Sequence, residues 1–140
     1  MPLVIGGTAA ICHVGDCRAY LLRGGELKLE TRDQTVVSRM VDLGMLTEKE
    51  ARTHRAAGQV TQALGRQYEL EPSRQLIELL AGDRLVLACD GLHAHLELDE
   101  LRELIGAESL ACELAPALVR RADEAGGSDN CTVIVIDAEG

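Results

Sequence analysis

The sequence predicts an α+β fold built on antiparallel sheet. Three observations lead there. Apolar runs of strand length arrive in close succession, and Gly24-Gly25 between two of them is a two-residue hairpin signal. Helical patterns come in pairs between the strand groups, whereas a doubly wound fold would alternate strand and helix one by one. No linker, repeat or low-complexity stretch divides the 140 residues, a length that suits one domain over 1–140 with one core.

The elements follow in order. Thr8 to Val14 reads as a strand, and Arg18 to Arg23 as its antiparallel partner. Glu26 to Leu29 returns across the glycine turn. Val36, Val37, Met40 and Val41 recur at helical spacing and stop at Gly44. Thr47-Glu48-Lys49-Glu50 is a capping box that opens a second helix. Gln59 to Leu64 and Gln75 to Leu79 read as strands, the latter continued past Ala81-Gly82-Asp83 by Arg84 to Cys89. Leu98, Leu101, Leu104 and Ile105 make one helical face, and Leu110, Leu114, Leu118 and Ala122 another. Pro116 either kinks this last helix or sits in its first turn. Gly126-Gly127 ends it, and Cys131 to Asp137 closes the chain as a strand.

Composition narrows the function classes. The net charge is −9 with no long basic cluster, which argues against nucleic acid or an anionic membrane as partner. No apolar run reaches the length of a membrane span. The opening Met1-Pro2-Leu3-Val4-Ile5 lacks the basic flank of a signal peptide, so a cytoplasmic location is expected. There is no Phe, no Trp and only two Tyr, so the core must be aliphatic. The five cysteines are odd in number and form no Cys-x-x-Cys; most lie in apolar runs and read as small core residues in a reducing compartment.

Two short stretches carry the chemistry. Asp90 follows the run Leu85-Val86-Leu87-Ala88-Cys89, and Asp129 stands just before Cys131 to Ile136. A carboxylate at the mouth of a buried strand is costly unless a cation or hydrogen bonds hold it. Two of them suit one hard divalent metal. The alternative is that each is a turn residue or helix cap.

The rest of the chain extends the pattern. Val14-Gly15-Asp16-Cys17-Arg18 is followed by Asp33-Gln34-Thr35, Leu43-Gly44-Met45-Leu46-Thr47, Thr61-Gln62-Ala63-Leu64-Gly65, Gly82-Asp83-Arg84-Leu85, Cys89-Asp90-Gly91-Leu92 and Gly127-Ser128-Asp129-Asn130. In order and spacing this series resembles the bacterial metal-dependent protein phosphatases of type 2C, the PPM family, from about Gly7 to Asp137. The resemblance implies part of an α-β-β-α sandwich, two antiparallel sheets flanked by helices. It implies Mn²⁺ or Mg²⁺ as cofactor and phosphoserine or phosphothreonine on a protein as substrate. Asp90 and Asp129 match metal ligands of that family. Gly91 and Asn130 match neighbours that shape the loops, and Asp16 matches a third-metal position. Residues Thr31 to Val60 match its flap.

The departures are equally specific. Gly58 stands where the family often has an oxygen-bearing residue, Gln62 where it usually has Arg, and Cys17 where it usually has Ser. The family's opening segment, with its phosphate-binding arginine, acidic pair and Asp-Gly-glycine-histidine motif, has no match before Gly7. The expectation is a C-terminal part of the catalytic domain, with little activity alone and with exposed sheet surfaces that favour self-association. A non-catalytic, pseudophosphatase-like binding module is the alternative. His93-Ala94-His95 could place two imidazoles on one face for a transition metal, but two make an incomplete site and Gly91-Leu92 suggests a loop, so the reading is against a ligand role. His13 reads as a core or interface residue and His54 as a helix-end cap.

Overall fold

The computed structural model describes residues 2–65, 69–107 and 110–139. Strands β1 (Pro2–Ile5), β2 (Thr8–His13) and β5 (Ser73–Glu78) form a first antiparallel sheet in the order β1-β2-β5. Strands β3 (Arg18–Arg23), β4 (Glu26–Leu29), β6 (Arg84–Ala88) and β7 (Val133–Asp137) form a second, in the order β4-β3-β6-β7. Helices α1 (Val36–Asp42) and α2 (Glu48–Thr53) fall between β4 and β5. Helices α3 (Asp90–His93), α4 (Leu98–Ala107) and α5 (Ala111–Glu124) fall between β6 and β7.

The pleat sorts the second sheet's residues between two cores. Ala19, Leu21 and Leu85 point toward the first sheet and meet Ala9, Ile11 and Ile77. Tyr20, Val86 and Ala88 point the other way, onto Leu92, Leu101, Ile105, Leu114 and Leu118 of the helices. A third, small cluster joins Val37 to Ala51 and Ala56. Asp83 is buried before β6, where Arg23 donates to both its carboxylate oxygens (2.8 and 2.5 Å) and the Leu80 N–H donates at 2.8 Å.

Two expectations are corrected. β2 and β3 are not partners, because they lie in different sheets. Their apolar residues face each other across the inter-sheet core, so burying both required the chain to cross between layers. Residues 59–64 form no strand; Val60 makes a single bridge to Thr35. Strand β1, paired Pro2↔Ile11 through Ile5↔Thr8, was not anticipated, although Gly6-Gly7 at its end is a hairpin signal. Helix α5 begins at Ala111 and runs through Pro116, whose ring is exposed. Most cysteines are not core residues either: Cys12, Cys17 and Cys112 are exposed, Cys89 is half-buried, and half-buried Cys131 packs against the edge of the helix-side core.

The first sheet's outer face is bare among the described residues. Leu3, Ala10 and Leu76 stand in one row across β1, β2 and β5, and Leu3 and Leu76 are 57% and 76% exposed. No helix of the described residues is long and apolar enough to cross a membrane.

Candidate functional site

The segments carrying Asp16, Asp90 and Asp129 meet at one end of the sheets. β6 ends at Ala88, Cys89 caps the short helix α3, and Asp90 is the helix's first residue. The Asp90 side chain turns back on its own helix, where Oδ1 accepts the Gly91 N–H at 3.0 Å. Asp129 does the same across the way, with Oδ1 accepting the Asn130 N–H at 2.7 Å.

The two loops touch through their main chains. A Cβ on Gly91 would lie 2.3 Å from the Asn130 carbonyl oxygen and 3.1 Å from the Cys131 Cα. Only a residue without a side chain permits that approach. Cys89 stitches the loops further. Its N–H donates to the Thr132 carbonyl at 3.2 Å, its thiol donates to the Asn130 carbonyl at 3.2 Å, and its sulfur accepts the Thr132 N–H at 3.1 Å.

Asp16 sits in the β2–β3 connection. Gly15 has φ +88, which favours glycine, and its N–H donates to the Gln34 side-chain oxygen at 2.9 Å. The Gln34 N–H returns a bond to the Gly15 carbonyl at 2.8 Å. Beside the loop, Arg18 forks onto Asp33 at 2.7 to 3.3 Å. Burial pushes the Asp16 carboxyl above the ordinary range, and the Asp90 charge pushes in the same direction. The Asp90 charge therefore reaches Asp16, the two lying in loops that meet through His93.

The histidine pair holds the loops together through hydrogen bonds. These residues leave a short helix rather than a strand, so their rings diverge. His93 donates from Nε2 to the Asp16 carbonyl at 2.9 Å. Burial and the nearby Arg18 hold its imidazole below the usual range, so the neutral donor form is favoured. His95 Nε2 is hydrogen-bonded to the Ser128 hydroxyl at 2.9 Å, and its ring packs against Gly126. One histidine thus braces the Asp16 loop and the other the Asp129 loop. Sequence spacing could not separate these roles from metal ligation, since both place the same residue type beside the same aspartates. His13 and His54 are structural: His13 Nε2 meets the Arg32 carbonyl at 3.0 Å, and His54 caps the end of α2.

Asp129 lines an open depression of about 580 Å³ formed by residues 127–131 with Val119 and Asp123 of α5. A second depression, about 450 Å³, opens between β2, β4 and β5 and holds none of the three aspartates. Among the described residues no three His, Cys, Asp or Glu side chains stand as a ready-made cation cage. The donor set nonetheless fits a hard divalent ion. Each candidate ligand is a carboxylate, and Gly91 provides a close main-chain approach that a Cβ would abolish.

No family model matches the chain. The serine/threonine protein phosphatase PstP of Mycobacterium tuberculosis is 38% identical over 135 residues, which cover 96% of this chain and 26% of PstP. The crystal structure of PstP superposes with a TM-score of 0.92 over 99% of this chain and 58% of that one. The chain is a homologue of the bacterial PPM-type serine/threonine phosphatases. It matches a C-terminal part of their catalytic domain. Protein phosphatase PhpP of Streptococcus pneumoniae is 34% identical over 133 residues, 95% of this chain and 54% of PhpP. The PstP catalytic domain in complex with two manganese ions superposes with a TM-score of 0.87 at 34% identity, over 99% of this chain and 57% of that one. The chain thus spans about half the length of PhpP and of the PstP structures. The two antiparallel sheets with flanking helices are those expected of this PPM homologue.

Proposed function

We propose that this chain contributes Asp90 and Asp129 to a Mn²⁺- or Mg²⁺-dependent hydrolase acting on phosphoserine and phosphothreonine of proteins, in cytoplasmic signalling. The observation that carries the reading is the contact of Gly91 with the Asn130 carbonyl, which holds the two aspartate loops side by side. The comparison with PstP, crystallised with manganese, supports the choice of metal. A divalent ion held there would generate hydroxide at neutral pH and offset charge on phosphate oxygens. The chain's own part is to orient the carboxylates through the Gly91 and Asn130 N–H groups and to fix the loops through His93, His95 and Cys89. Asp16, beside Asp90, is the candidate for a further metal.

The partner is a phosphorylated protein, not nucleic acid or membrane, in keeping with the net charge of −9. The outer row of Leu3, Ala10 and Leu76 favours self-association of the 140-residue chain. A second reading, a non-catalytic binding module, is favoured by the lack of a three-ligand cage among the described residues. By itself the chain is expected to bind Mn²⁺ weakly and to turn over little substrate, because positioning and electrostatics dominate phosphoryl transfer.

Calorimetry with Mn²⁺ on the wild type, Asp90→Ala and Asp129→Ala tests the site. Weak binding lost in either variant is expected, and binding unchanged in both overturns it. Assay of the chain on a phosphothreonine peptide with Mn²⁺ tests competence. Robust turnover that disappears in Asp90→Ala would mean that these residues assemble a complete centre.

A further inference from the structure

Cys17 and Cys89 each adjoin a candidate ligand, Asp16 and Asp90. The β3–β6 ladder pairs Leu21↔Leu85, Ala19↔Leu87 and Arg18↔Ala88. Continued by one residue, the same register sets Cys17 opposite Cys89. The type of pairing also follows. The Cys89 N–H donates to Thr132, so its main-chain groups face β7 rather than β3. Those of Ala19 face the β4 side, where its N–H donates to the Thr31 hydroxyl and its carbonyl accepts from Glu30. Cys17, two residues away, shares that direction. Cys17 and Cys89 therefore form a non-hydrogen-bonded pair, the narrow kind, with Cα atoms about 4.5 Å apart. A disulfide needs Cα atoms roughly 4.4–6.8 Å apart.

Independent observations agree. Both residues stand on the inter-sheet face of the ladder, in the rows of Ala19 and Leu87. Cys17 is exposed at the open end of the sandwich, and Cys89 is half-buried behind it.

We propose that Cys17 and Cys89 are a reversible oxidation site, closed to a disulfide by hydrogen peroxide across the rim of the aspartate loops. One peroxide and two thiols give one S–S bond and two waters. The sulfurs lose two electrons, the O–O bond breaks, and both thiol protons leave in the waters. A dithiol reductant reverses the step by exchange. The consequence is local. The disulfide has no S–H, so Cys89 stops donating to the Asn130 carbonyl and one bond that holds the Asp129 loop is lost. The bond itself is independent of the phosphatase reading; only its effect on metal binding rests on it.

The test uses the intact chain. It is treated with hydrogen peroxide, remaining thiols are alkylated, and a non-reduced digest is mapped by mass spectrometry. The expected main product is an intramolecular Cys17–Cys89 link, lost on dithiothreitol treatment, absent in Cys17→Ser and retained in Cys12→Ser. A Cys89–Cys131 link as the main product overturns the proposal. So does oxidation that joins molecules through Cys12 or Cys112 while Cys17 and Cys89 stay alkylatable. Peptide mapping reads the bond whether or not the chain binds Mn²⁺. Loss of Mn²⁺ affinity in Asp90→Ala remains a separate measurement of the metal reading.

Discussion

Replacing Gly91 with Ala isolates the contact that joins the two aspartate loops. Gly91 is not among the positive-φ glycines, so alanine meets no backbone penalty there. The new Cβ would lie 2.3 Å from the Asn130 carbonyl oxygen, whereas ordinary contact begins near 3.4 Å. The obstacle is main chain and cannot swing aside as a side chain would. Overpacking of this kind costs about 1–3 kcal/mol, and a backbone obstacle belongs at the upper end. Alanine recovers at most about 1 kcal/mol through helix propensity. The net loss is therefore about 2 kcal/mol, or a fall in Tm of about 8 °C for a domain of this size. Gly106→Ala is the control, since a Cβ there meets nothing within 4 Å. It should raise stability by up to about 1 kcal/mol. Thermal unfolding followed by circular dichroism reads both, and calorimetry should show weaker Mn²⁺ binding in Gly91→Ala alone. If Gly91→Ala melts at or above the wild type, the packing of the two loops has been misjudged.

Asp83→Asn should cost about 1–3 kcal/mol in urea unfolding, because it weakens charge-assisted bonds to a buried group. Arg23 holds the Asp83 carboxyl below its usual range, so the unfolded chain takes up this proton first as the pH falls. The contribution is complete above a pH of about 4 and is lost as the pH drops through the lower native value, so the acid limb of stability should shrink in the variant. Thr47→Ala removes the capping box of α2 and should cost about 1 kcal/mol, with faster amide exchange confined to residues 48–53. Unchanged exchange in that helix would count against the cap. Leu76→Lys places a charge in the bare outer row and should abolish concentration-dependent association in sedimentation velocity. Equal sedimentation of both proteins would remove that face from consideration.

The legible parts of the fold were those written locally. The glycine hairpin at Gly24-Gly25 and the capping box at Thr47–Glu50 formed as read, and the faces of α4 and α5 are buried at Leu101, Ile105, Leu114, Leu118 and Ala122, while Leu98 and Leu110 at their starts are exposed. What escaped was the partnership of strands. Alternation says which residues of β2 and β3 are buried but not whether they share a sheet or face one another across two. Residues 59–64 carry strand-like residues yet find only the Thr35 bridge, so pairing outweighed propensity. At the site, Asp90 and Asp129 stood out because acidic residues at strand ends need an explanation. The bracing roles of Gln34, His93 and His95 were not legible, since their hydrogen bonds to Gly15, Asp16 and Ser128 depend on loops that meet only in three dimensions.

The ladder that closes the first sheet has a mechanical consequence. Strands β2 and β5 pair over six positions, from Thr8↔Glu78 to His13↔Ser73, and so tie off everything from residue 14 to residue 72. Within that loop, β3 is anchored a second time, to β6, and carries β4 on its other edge. A cut between Leu64 and Gly65, at a side chain 81% exposed, therefore severs no ladder. The two pieces remain clasped by one sheet on each layer, as a buckle holds a strap after the strap is slit. Each piece alone keeps only strand pairs, β1–β2 and β3–β4 in the first and β6–β7 in the second, and leaves β5 unpaired. Two polypeptides divided at this turn should then be inert when separate and should zip together on mixing.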